Sequence, residues 1–428
     1  MQVGSGVALI EVRPNGNVSG LTELRLLSES AGYNVLGEFE QSRYYDPSFC
    51  LGRGKAEEIA RKLKALKPAK VIMNNRLKPV QKYNLTKLFA TEVIDRFQLI
   101  LEIFTKKAGT IEAKYQIELA KLQYELPMAR ESVRLAKLGE LPGFHGLGKY
   151  QVDIYATMIK KRISYLRSRL EEIRNRKSMH RQKRRKEALF SVALTGYTFA
   201  GKTALFNYVT KESLLLGNTL FTTLSTTTRA FSISNRKILL SDTVGFIDNL
   251  PHLLVDAFYS TLEEITLADS VLLILDSSDA LPEFSRKLRT CLSTLNEIGV
   301  FSSAIMPVLN KIDLAIDLEP LQEEVVDLLG VVPVKTSAKT GHGVPELLGV
   351  ISSKLPPYER IKLTIPLSKN MVSLLSWASK EADVRYVKYY EDDVEMEVHM
   401  HPAFLPRFKW LLYGFEDVKI QYLKAIKI

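Results

Sequence analysis

Lys202 and Thr203 close the octapeptide Gly196, Tyr197, Thr198, Phe199, Ala200, Gly201, Lys202, Thr203, which lies between a strand-like run at 189–195 and a helix-like run at 204–209. Glycines at those two positions let backbone N–H groups close round phosphates, and a loop that opens a helix directs the helix dipole at the same anion. In that arrangement Lys202 reaches the β- and γ-phosphates and the Thr203 hydroxyl ligates Mg²⁺. Three further segments follow at the spacing a guanine-nucleotide switch requires. Asp242, Thr243, Val244 and Gly245 come after an apolar strand, placing a carboxylate on the Mg²⁺ shell and Gly245 beside the γ-phosphate. Asn310, Lys311, Ile312 and Asp313 follow another strand, and the Asp313 carboxylate can accept hydrogen bonds from N1 and the 2-amino group of guanine. Adenine leaves such a carboxylate unpaired, so GTP is preferred over ATP. Ser337, Ala338 and Lys339 close the base pocket through backbone groups.

Between the first two segments the polar run at 220–229 occupies the place of switch I, a loop that γ-phosphate and Mg²⁺ order and hydrolysis releases. It includes Phe221, Thr222, Thr223, Leu224 and Ser225. One threonine should ligate Mg²⁺ in the GTP state; Thr223 is the choice, with Thr222 and Thr226 as alternatives because the run offers no register. Phe246 follows Gly245 where a glutamine would orient the attacking water, and a phenyl ring cannot do so. Intrinsic hydrolysis is therefore expected to be slow and stimulated by a partner. The expected catalytic set is Lys202, Thr223 and Gly245, and the expected metal set Thr203, Thr223 and Asp242.

The elements that must position these residues are legible in outline. At 428 residues and 46% hydrophobic content the chain exceeds what one core holds. The net charge of +11 is concentrated: residues 160–186 carry thirteen Lys or Arg against Glu171 and Glu172, an excess equal to that of the whole chain. Ile159, Ile163, Leu166, Leu170 and Ile173 mark one seam of a helix there, and Tyr115, Leu119, Leu122, Leu126 and Val133 mark another. The two are expected to pair as an antiparallel hairpin, with Pro127 kinking or interrupting the first helix and a glycine-rich tip at 141–150 carrying Phe144, His145, Lys149 and Tyr150. A cationic helix with an aromatic tip suits RNA phosphates and splayed bases. The cysteines Cys50 and Cys291 match no metal spacing and fit a reducing cytoplasm. His399 and His401, at strand spacing, could form at most a metal pair lacking a third ligand. No 18-residue apolar window and no basic leader occur, so neither a membrane span nor secretion is expected.

The run at 242–264, the segments at 93–104 and 112–127, and the glycine-lysine turn at 51–59 resemble HflX-type GTPases, a likeness spanning most of the chain. It implies a factor that binds the large ribosomal subunit and its rRNA, with splitting of stalled or idle ribosomes as the family's attributed activity. It also implies that Thr223 is the switch I ligand, because Phe221 to Ser225 matches that family's F-A-T-L-D. Two departures stand out. Phe199 replaces an asparagine that can help hold a monovalent cation, so turnover is expected to be nearly equal in Na⁺ and K⁺, and the tip loop lacks the R-G-P-G-E-T of bacterial relatives. The architecture expected is α/β: a P-loop GTPase core at 188–356, a mostly parallel sheet with helices on both faces. Flanking it are an N-terminal α/β domain at 1–110, a basic antiparallel helical hairpin at 111–187 and a C-terminal α+β domain at 358–428. The chain should act as a cytoplasmic monomer, and a large-subunit assembly GTPase or a switch that binds a protein effector without rRNA are the competing readings.

Overall fold

The computed structural model describes residues 5–14, 19–137, 149–186, 189–212, 226–233, 236–247, 259–367, 371–413, 415 and 417–426. Its first sheet has parallel strands in the order β2-β1-β3-β4, with β1 at Gly6–Arg13, β2 at Asn34–Ser42, β3 at Lys70–Met73 and β4 at Glu92–Asp95. Alternate residues of β1 serve opposite faces. Val7 and Leu9 join one buried cluster with α1 (Leu21–Ser30) and α4 (Arg96–Lys107), while Ala8, Ile10 and Val12 join another with α2 (Arg53–Leu66) and α3 (Pro79–Phe89). That is why β1 reads as an unbroken apolar run: a parallel strand covered on both faces needs no polar positions.

Helices α5 (Ile111–Lys137) and α6 (Lys149–Lys186) form the hairpin. Leu119, Ile159, Ile163 and Leu166 are its buried seam, with Tyr115, Leu122, Leu126 and Leu170 packed against them. Arg162 bridges the two helices through Glu118 at 2.7 Å. Two expectations are corrected and one, with two alternatives, is narrowed. The helix is not interrupted at Pro127, which lies inside α5; a buried seam on one face holds the helix past the hydrogen bond that proline cannot donate. Lys149 and Tyr150 belong to the first turn of α6 rather than to the tip, and the rest of that expected loop, with Phe144 and His145, lies outside the described residues. Ile173 is only half-buried and takes no part in the seam, and the side chain of Val133 lies outside the description.

The central sheet has the order β10-β9-β8-β5-β7-β6, from β5 (Phe190–Gly196), β6 (Thr227–Ile233), β7 (Arg236–Asp242), β8 (Ser270–Asp276), β9 (Ile305–Asn310) and β10 (Val334–Lys335). Only β6 runs antiparallel, against β7. The chain leaves β5 toward β7 and later returns through β8 on its other side, so the end of β5 is the point where strand order reverses. In open α/β sheets that crevice is where ligands bind. Helix α7 (Lys202–Thr210) springs from it, followed by α8 (Tyr259–Thr266), α9 (Leu281–Glu297), α10 (Glu319–Leu329) and α11 (Val344–Lys354).

The last sheet is antiparallel, β12-β13-β11-β14, built from β11 (Tyr358–Pro366), β12 (Asp383–Tyr389), β13 (Asp393–Met400) and β14 (Lys419–Ile426), with α12 (Met371–Glu381) and α13 (Leu405–Leu412) on one face. Ile361, Leu363 and Ile365 point into its core, while the outward Arg360 and Lys362 pair with Glu397 and Glu395. His399 is buried beside Glu397 at 2.8 Å, whereas His401 lies past the strand end and its Nδ1 accepts from the Ala403 amide. The two histidines therefore do not form a pair, because the strand stops between them. No described helix is long and apolar enough to cross a membrane.

Candidate functional site

The phosphate loop is shaped by close approach. Gly196 has φ 142°, and a Cβ there would sit 2.2 Å from the Ile274 carbonyl oxygen of β8; at Gly201, φ 92°, it would sit 2.2 Å from the Asn310 Nδ2. Only glycine fits at either place. The loop then turns into α7 with the Lys202 ammonium donating to the carbonyl oxygens of Gly196 and Tyr197 at 3.1 and 2.8 Å. Burial pushes that ammonium down to about 8, against the opposing pull of Asp242. A cation held under its own loop at such a cost in hydration is poised to gain from an incoming phosphate. Thr203 donates its hydroxyl to Asp242 Oδ2 at 2.9 Å, with both residues buried. Two hard oxygen donors in contact at the mouth of the loop suit a small divalent cation that keeps several waters. A Cβ at Gly245 would fall 2.8 Å from Lys202 Nζ and 3.0 Å from Thr198 Cγ2, so the absent side chain is what lets this strand end lie against the loop.

Asn310 ties three segments together. Its Nδ2 donates to the Ala200 carbonyl at 2.8 Å, and its Oδ1 accepts from the Ala338 amide at 3.0 Å and the Thr336 hydroxyl at 3.3 Å. This residue is 1% exposed and shapes the pocket from beneath. Lys311, in the left-handed region at φ 62°, reaches the Asp276 carboxylate at 2.6 Å. Asp313 is at the rim, where the Ser337 hydroxyl donates to it at 2.6 Å and, with Lys339 nearby, lowers its pKa. A carboxylate so held stays ionised and has lone pairs left for a base that presents two donors. Ile312 contributes backbone, its amide donating to the Thr336 carbonyl at 3.3 Å.

The chain after Asp242 is threaded between two cores. Thr243 donates its hydroxyl to the Leu194 carbonyl at 2.6 Å. Phe246 is stitched to the phosphate loop in both directions: its amide donates to Gly196 at 3.0 Å, and its carbonyl accepts from the Thr198 amide at 2.8 Å. Its ring is buried in the cluster of α9 and β8, while Val244 and Ile247 enter the cluster of the first sheet. A buried phenyl ring offers nothing to a water molecule. Phe199 lies at φ 66° and is 38% exposed. The switch I residues Phe221, Thr222, Thr223, Leu224 and Ser225 lie outside the described residues.

Three family models cover most of the chain: a GTP-binding GTPase N-terminal region over residues 19–105, a GTP-binding GTPase middle region over 107–184, and a 50S ribosome-binding GTPase over 191–311. A GTPase HflX of Thermofilum pendens is 44% identical over 369 residues, 86% of this chain and 87% of that protein. The chain belongs to the HflX family of GTPases. A GTPase HflX of Thermococcus kodakarensis is 41% identical over 382 residues, covering 86% of each. A GTP-binding protein of Sulfolobus solfataricus solved with GDP is similar at 30% identity, with a TM-score of 0.45, over 82% of this chain and 98% of that one. As an HflX GTPase the protein binds GTP and GDP and hydrolyses the former.

Within this HflX chain the fold brings together the residues at 196–203, 242–245, 310–313 and 337–338 at the strand ends of one sheet. Sequence reading missed Thr336 and Asp276, which orient Asn310 and Lys311. Their signal is their place at a strand terminus beside the pocket, visible only once strand order is known. It also missed the surroundings of Tyr197, whose ring lies 5.7 Å from Arg286 and 5.4 Å from Lys287 and whose hydroxyl leaves the central domain altogether. Both cysteines are buried, and burial pushes the Cys291 thiol up to about 12 and Cys50 to about 11, so neither is a ready nucleophile.

Proposed function

We propose that the GTP-bound chain docks on the large ribosomal subunit, contacts rRNA with α6, separates stalled or idle ribosomes into subunits, and leaves on hydrolysis. The observation carrying this reading is the form of α6. Its seam residues Ile159, Ile163 and Leu166 are buried against α5, whereas Lys160, Lys161, Arg162, Arg167, Arg169, Arg174 and Arg176 stay exposed. The root of that helix reaches the GTPase core, where Arg174 lies 3.4 Å from Glu263 on α8. A cationic rod attached beside switch II suits a phosphate backbone bound through counterion release.

In the chemistry proposed, Lys202 and the loop amides carry charge that develops on the phosphoryl oxygens, and the Gly245 amide meets the γ-phosphate. Thr203, Asp242 and, in the GTP state, Thr223 would hold Mg²⁺, which would supply neutralisation of the charge on the phosphates. Asp313 selects guanine, with Ser337, Ala338 and Lys339 forming the rim. Because Phe246 is committed to the core, the attacking water lacks a side-chain partner there, which makes stimulation by the ribosome the expected mode of control. The reading is tested by GTP turnover with and without large subunits, followed by sedimentation of intact ribosomes with a non-hydrolysable GTP analogue. Stimulation with subunit separation is expected. Stimulation without separation would favour an assembly role, and no effect from any ribosomal particle would remove the ribosome as partner.

A further inference from the structure

The phosphate loop is attached to the N-terminal α/β unit by a side chain at a position whose type the phosphate-loop motif leaves open. Tyr197 donates its hydroxyl to Glu23 Oε1 on α1 at 2.8 Å, although the two are 174 residues apart. Glu23 does not float. Its other oxygen accepts from Arg96 Nη2 at 2.7 Å, Arg96 Nη1 donates to Asn74 at 3.1 Å, and Asn74 donates to the buried Glu11 at 2.5 Å. At the other end the Tyr197 carbonyl is one of the two acceptors that hold the Lys202 ammonium. A line of hydrogen bonds thus runs from β1 of the first sheet to the cation under the phosphate loop, and the tyrosine in the middle of it is 5% exposed.

A second attachment runs beside the first. Val244 and Ile247 are buried in the N-terminal core, and Phe246 between them is bonded to Gly196 and Thr198. Both walls of the phosphate site therefore rest on the N-terminal unit. We propose that Glu23 is a positioning residue for nucleotide binding: by holding the Tyr197 hydroxyl it keeps the phosphate loop closed and sets how long GDP stays bound. A hydrogen bond to a carboxyl group that a guanidinium already fixes in place is among the stronger kinds, and swinging the loop outward must stretch it.

The test uses the full chain and a fluorescent GDP, with release followed by stopped flow and thermal melting measured alongside. Tyr197→Phe and Glu23→Ala should each speed release about tenfold. The double variant should release no faster than either single one, because both remove the same bond. Glu23→Gln, which keeps an acceptor oxygen, should recover most of the loss. Release within about threefold of wild type in either single variant, or a double variant faster than both, overturns the proposal whatever the melting temperature does, since a merely structural contact would move only the melting. Should Glu23→Ala fail to fold, Tyr197→Phe decides by the same threshold.

Discussion

The chain contains two parallel sheets whose strand ends are furnished in opposite ways. In the N-terminal sheet the polar groups at the carboxyl ends consume one another: Glu11 accepts from Asn74, Ser19 and Gly20, and Asp95 accepts from Tyr124 at 2.6 Å and from the amides of Leu77 and Gln98. In the central sheet the corresponding ends carry glycines whose missing side chains hold space open, a lysine buried against carbonyls, and a threonine facing an aspartate. The same layer architecture therefore gives an internally braced unit in one case and a nucleotide site in the other. Polar side chains that satisfy each other stabilise, whereas a desolvated cation beside space that glycines keep open can bind an anion.

The largest expected effect breaks the comparison on the catalytic side. Asp313→Asn replaces an acceptor with an amide that can donate, so preference should pass from guanine to a purine with a carbonyl at C2. The ratio of GTP to XTP affinity should fall on the order of 10³-fold, read by competition binding. An unchanged ratio would remove Asp313 from the base site. Next comes the anchoring side: Glu11→Gln should cost about 1–3 kcal/mol in denaturant unfolding, because the Asn74, Ser19 and Gly20 donors lose a charged acceptor. The preference for GTP over ATP should stay as in wild type, and a change in it would mean that the Glu11 network also shapes the base pocket.

A smaller effect is protonic. With burial pushing Lys202 down to about 8 in the nucleotide-free chain, a bound phosphate should restore the charged form. Binding at pH 8.5 should take up a sizeable fraction of a proton, and at pH 6.5 close to none, because there the ammonium is charged in both states. GTP affinity should weaken accordingly as pH rises through 8. Calorimetry in buffers of different ionisation enthalpy reads the uptake directly, and zero uptake at pH 8.5 would contradict the desolvated lysine. Smallest of all is the response to monovalent cations. With Phe199 in the loop, GTP turnover in Na⁺ and K⁺ should agree within about twofold, a hydrocarbon ring offering no ligand to a cation; severalfold K⁺ stimulation would show that other groups hold one.

How much could be read before the fold was known depends on the range of each interaction. Gly196 to Thr203 and Asn310 to Asp313 announce themselves because each motif is contiguous and each residue type has a chemical reason to be there. The hairpin was legible because the steps Ile159, Ile163, Leu166 and Tyr115, Leu119, Leu122 repeat at helical spacing, and spacing encodes which face is buried. Strand β2 escaped notice: it is an edge strand with no fully buried residue and Gly37 in its middle, so it shows no apolar run. Lys149 and Tyr150 were misplaced because a glycine-rich stretch marks a turn without marking where the next helix begins.

By itself, then, the sequence determined which residue types stand in order for nucleotide chemistry: a glycine-lysine-threonine loop, the run from Asn310 to Asp313, a phenylalanine after Gly245, and a charge excess gathered on one helix. Tertiary structure alone decided that Asn310 joins three loops, that Val244 and Ile247 lie in the N-terminal core while Phe246 lies in the central one, and that Tyr197 reaches Glu23. The reason is physical. Local patterns specify how a segment folds and which side chains leave water, but the partner each side chain meets depends on how distant segments share one core, and no period in the chain records that.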